Sequence, residues 1–134
     1  MSALTRRQKK RIDKLFWNER KLRTATKEFR IAVSSDAEHS ADPTARQAVA
    51  NLSELSPLLE CEHPELWLHV MDLTWERYSS SHHIGKAMRR RYVSHESVET
   101  IAIMEYTTTR NIFKWRDEFL IYAAMMALKN GLTI

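Results

Sequence analysis

Only two glycines and three prolines punctuate 134 residues. These residues supply the dihedrals of tight turns, and a sheet-rich fold of this size needs many such turns. Their scarcity predicts an all-α chain with long helices. The expected order is a long N-terminal helix, a linker, then a small helical bundle ending in an extended last helix.

Apolar spacing supports this order. Ile12, Leu15, Phe16, Leu22, Ala25, Phe29 and Val33 recur at steps of three and four, which predicts one helix over 5–33. Leu15, Leu22 and Phe29 stand seven apart, a narrow stripe that suits docking on a partner or a homodimer. Asn18 interrupts the stripe, which argues against a long coiled coil.

Residues 34–44 are small and polar. Taken as segments, a basic helix over 1–35 is followed by a linker over 36–44 and a helical domain over 45–134. Asp42 and Pro43 start a short helix that runs from about Thr44 to Leu55. Pro64 opens another, with Leu66, Trp67, Val70, Met71, Thr74, Trp75 and Tyr78 on a broad apolar face that reads as core. A fourth helix spans about His82–Tyr92, and a fifth starts at Ser94, with Ser97 as a second residue of helix-start chemistry. The last runs from Thr109 to about Asn130 and is closed by Gly131.

Charge is unevenly placed. Residues 1–31 carry a net +8, residues 32–79 a net −7, and residues 80–134 a net +3. Clustered positive charge attracts polyanions, because neutralised phosphates release counterions. Solvated faces or pairing within the chain explain the same pattern, so charge alone does not establish a nucleic-acid partner.

Other chemistry is poorly supplied. Cys61 is the one cysteine, so neither an internal disulfide nor a thiolate cluster is expected, and a reducing cytoplasm is the simplest compartment. The first ten residues have charge with no apolar stretch behind them, unlike a secretory signal. No apolar run approaches the roughly 20 residues that span a bilayer. His82 and His83 point about 100° apart on a helix and suit a shared metal poorly. Asp72 and Glu76 lack an evident pocket for acid–base work. No glycine-rich phosphate loop is present. Neither an enzyme nor a cofactor is expected.

The stretch from Val98 to Phe119 carries more information. A helix-turn-helix joins two helices by a short turn, and the second reads the major groove from its N-terminal turns. Ala102 is the small residue that lets the helices approach. Ile112, ten positions later, faces inward, and Trp115 follows one turn on. Thr107 or Thr108 caps the second helix. This register, at about 94–130, turns Thr108, Thr109, Arg110, Asn111 and Lys114 outward. Arg pairs with guanine and Asn with adenine, whereas Thr and Lys suit phosphates. Arg89, Arg90 and Arg91, just upstream, are candidates for a backbone clamp. Three positions depart from the pattern: Glu105 replaces a terminal apolar residue, Tyr106 a frequent glycine, and Thr107 an apolar plug. An ordinary helical hairpin is the alternative.

The segment Phe113-Lys114-Trp115-Arg116-Asp117-Glu118-Phe119 resembles the end of the helix-turn-helix in ArpU/RinA-type phage late-gene transcriptional regulators. Their reading helix commonly runs Ser-x-x-Thr-x-[Phe/Tyr]-x-Trp-Arg. Here Thr108 and Asn111 replace Ser and Thr, while Phe113, Trp115 and Arg116 match. Arg91-Tyr92 is similar to the pair that precedes the motif, and Asp42-Pro43-Thr44-Ala45 to the family's linker. The resemblance implies a cytoplasmic, sequence-specific binder of double-stranded DNA that activates late phage genes in a bacterial host; the basic N-terminal helix would add phosphate attraction, or bind RNA polymerase or a second subunit. Its DNA-binding half would resemble region four of sigma factors. The competing expectation is a helical phage-assembly or DNA-packaging subunit, or an interaction adaptor, oligomerised through Leu15, Leu22 and Phe29. RNA binding by the basic face of residues 6–30 is a third.

Overall fold

The structure, a computed structural model, describes residues 4–34 and 63–134, with side chains for 4–28 and 63–134. The described residues form six helices and no strand: α1 Arg6–Trp17, α2 Glu19–Ser34, α3 Pro64–Arg77, α4 His83–Tyr92, α5 Val98–Met104 and α6 Thr109–Lys129. The chain is all-α. No described helix is long and apolar enough to cross a membrane. The expected linker over 36–44, the Asp42 cap, the helix from Thr44 to Leu55, Cys61 and the Phe29 side chain lie outside the described residues.

The single helix expected over 5–33 is two helices. Asn18 sits at φ −105°, ψ 14° and ends α1. Its side-chain amide donates to the Lys14 carbonyl at 2.9 Å, which satisfies one free acceptor of the helix end. At the other end, Thr5 and Gln8 form a reciprocal capping box.

The apolar stripe faces inward and not toward a partner. Leu15 and Leu22 are fully buried in the chain's own core, beside Ile12, Phe16 and Trp67. In this fold they are not available as a dimer seam. The N-terminal helices are therefore part of the bundle and not a separate basic module, with α1 packing on α4 and α6 and α2 on α3.

The core is aromatic at its centre. Phe16 of α1 meets Phe119 of α6 at 4.9 Å between ring centroids, Tyr92 of α4 at 5.5 Å and Trp75 of α3 at 5.8 Å. Aromatic pairs add roughly 0.5–1.5 kcal/mol each beyond the apolar area they bury. At the α2–α3 contact, the Trp75 indole donates to Glu19 at 2.7 Å, and Arg23 bridges Glu19 and Asp72.

Ser97, not Ser94, caps α5, its hydroxyl accepting from the Thr100 amide. The intervening His95 has φ 53° and stacks on Trp17 at 4.1 Å. The end of α6 is closed as expected. Gly131 is left-handed at φ 79°, and the Leu132 and Gly131 amides return to Ala127 and Leu128 in a Schellman motif.

Candidate nucleic-acid interface

Helix α5, a four-residue turn and α6 form the segment expected to be a helix-turn-helix. Ala102 and Ile112 are both buried in the common core, one on each helix. The three departures from the motif have local explanations. Glu105 accepts from Arg90 Nε at 2.8 Å, which ties the α5 terminus to α4. Tyr106 takes the left-handed conformation, φ 54°, that glycine adopts most cheaply. The amides of Thr107 and Tyr106 then bond back to Ala102 and Ile103, a second Schellman closure. Thr107 accepts from the Asn111 side-chain amide at 2.9 Å, so a polar bond replaces the apolar plug.

Thr108 is the N-cap of α6, its hydroxyl accepting from the Asn111 amide at 3.2 Å. Thr108, Thr109, Arg110, Asn111 and Lys114 are all exposed. Among the described residues, Arg110 and Lys114 make no ion pair. Asn111 uses one amide donor on Thr107. Its carbonyl oxygen and second N–H are left for a ligand. The first turns of α6 thus present two cations and an amide on a helix fixed from behind by Ile112, which is fully buried.

The arginine triplet has a different environment. Arg89 donates to the Tyr78 and Gly85 carbonyls at 2.9 and 3.2 Å and lies 4.7 Å from the Trp75 ring centroid. Burial lowers its pKa from the ordinary arginine value. Arg90 pairs with Glu105 and Glu96. Arg91 pairs with Asp13 and lies over Trp17. Burial opposes the charge of Arg91, but Asp13 and Tyr92 together more than offset it. All three guanidinium groups are engaged in holding helices together, so the expected clamp is not presented to solvent as a triplet.

Some residues near this surface were not singled out from sequence. Arg116 lies 5.0 Å from the Phe113 ring centroid, and with Arg6, Lys9 and Lys10 of α1 it lines a groove beside α6. Arg116 stands in the Trp-Arg pair already quoted, but its place beside α1 is a long-range matter and leaves no local signature. No group of three or more His, Cys, Asp or Glu side chains among the described residues is placed to hold a metal.

Compared with protein-family models, with curated proteins and with solved structures, the chain matches none.

Proposed function

We propose that this protein binds double-stranded DNA sequence-specifically and regulates transcription, with the N-terminal turns of α6 in the major groove. The observation that carries the reading is the exposed Arg110, without an ion pair among the described residues, beside Asn111 and Lys114 on a helix tip anchored by Ile112. Arg110 and Asn111 supply base-edge recognition, while Lys114 and Thr109 suit phosphates. The finer role, activation of phage late genes, rests on the motif resemblance. Ile103, Met104 and Tyr106, exposed at the elbow, suit contact with RNA polymerase. The assembly-subunit alternative is weakened because its proposed seam residues Leu15 and Leu22 are buried.

Selection of bound duplexes from a random pool tests the reading. One sequence should be enriched, and Arg110→Ala should cost roughly 1–3 kcal/mol on it while relaxing one base preference. Unchanged affinity and preference in Arg110→Ala, or no enrichment at all, would defeat it.

A further inference from the structure

An open groove of about 600 Å³ runs between α1 and α6. Its basic side chains are Arg6, Lys9, Lys10 and Arg116, and its acidic ones Asp13 and Asp117. Both acids already have partners. Asp117 pairs with Lys9 at 3.4 Å, and Asp13 accepts from Arg91 and Tyr92. Among the described residues, Arg6, Lys10 and Arg116 make no ion pair. Arg116 is held against Phe113, and its buried Nε has no acceptor among the described residues. A guanidinium pre-ordered on Phe113 and flanked by two exposed cations fits an anionic oxygen through its terminal N–H groups.

Position on α6 narrows the ligand. Arg116 is six residues beyond Arg110, about 9 Å along the helix and roughly 120° around it. The major groove is about 12 Å wide. Lys9, near the start of α1, meets Asp117, which is seven residues beyond Arg110 and close to the same side of α6, so with the Arg110 tip on the bases a phosphate strand at the flank would pass the start of α1.

We propose that the α1–α6 groove takes a backbone phosphate of duplex DNA and sets the register of α6 through Arg6, Lys10 and Arg116. This rests on the DNA-binding reading and supplies the contact that the arginine triplet does not. The ligand is a phosphodiester, so the effect on binding is independent of sequence.

The test is binding of the full chain to the selected duplex and to an unrelated one across a salt series. Arg6→Gln/Lys10→Gln changes two exposed positions and spares the core; Arg116→Gln is the second variant. The double variant should weaken both duplexes by the same factor and reduce the salt slope by about 0.9 per lost contact, leaving discrimination intact. Arg110→Ala should do the opposite, losing discrimination. Groove variants with wild-type affinity and slope, beside a defective Arg110→Ala, would overturn the groove and leave the DNA reading standing. If no duplex is preferred by the wild type, that reading fails, and inorganic tripolyphosphate tests the groove alone. Amide shifts at Arg6, Lys10 and Arg116 that vanish in the double variant support an anion site, and their absence overturns it. Stronger competition by duplex RNA than by duplex DNA would also overturn the assignment to DNA.

Discussion

The phenol of Tyr92 donates a 2.6 Å hydrogen bond to the carboxylate of Asp13, 79 residues earlier in the chain. Arg91 pairs with the same carboxylate at 3.3 Å. One acid on α1 thereby receives both the last two residues of α4. Burial, with the Asp13 charge in support, holds the Tyr92 phenol well above its ordinary pKa.

That shift has a definite sign. The folded state keeps the proton more tightly than the unfolded one, so this contribution is complete below the ordinary tyrosine value near 10. It declines as pH rises beyond that value. Denaturation followed from pH 7 to 11 should show an alkaline loss of stability that Tyr92→Phe diminishes. At neutral pH the same variant should lose about 1–2 kcal/mol, since a hydrogen bond to a charged group is removed.

A close approach of backbones predicts a strong effect at Gly85. A Cβ there would lie 2.0 Å from the Ser79 carbonyl oxygen and 2.5 Å from that of Tyr78. Neither neighbour is a movable side-chain tip. Gly85→Ala should destabilise by roughly 3 kcal/mol, at the upper end of ordinary overpacking, as read from chemical denaturation.

Arg89 separates a structural cation from a DNA contact. It donates to the carbonyl of Tyr78, at the C-terminal end of α3, and covers Trp75. Arg89→Met should lower stability by about 1–3 kcal/mol because those acceptors lose their donor. The salt slope of DNA binding should not change, whereas Lys114→Ala should reduce it by about 1 without altering folding.

The elbow offers a backbone test. Tyr106 is left-handed and almost fully exposed, so its side chain gives little packing in return for the conformation. Tyr106→Val should destabilise by roughly 1–2 kcal/mol, because a β-branched residue tolerates positive φ poorly. Tyr106→Gly should be neutral or slightly stabilising in thermal melts.

Local signals make much of this legible in the sequence alone. The Thr108 cap, the Gly131 stop, the inward Ile112 and the exposed Arg110 all follow from periodicity and capping chemistry over a few residues. Long-range choices were not legible. A narrow stripe such as Leu15 and Leu22 looks the same whether it meets a second copy or its own α3 and α6. The triplet at Arg89, Arg90 and Arg91 resembles a free patch until Tyr78, Glu105 and Asp13 are brought to it. The break at Asn18 was visible as an interruption, but its depth was decided by the side chain returning to Lys14.

Phe16 has one more consequence. Because this residue is wedged among Trp75, Tyr92 and Phe119, helix α1 with its basic side chains is a strut fixed to the frame and not an arm that searches for its target. The backbones that carry Arg6 and Arg110 are then set apart by the packing of α1 on α6, like two marks on a ruler. A polyanion that satisfies both must match that span by its own pitch, to within the reach of two arginine side chains.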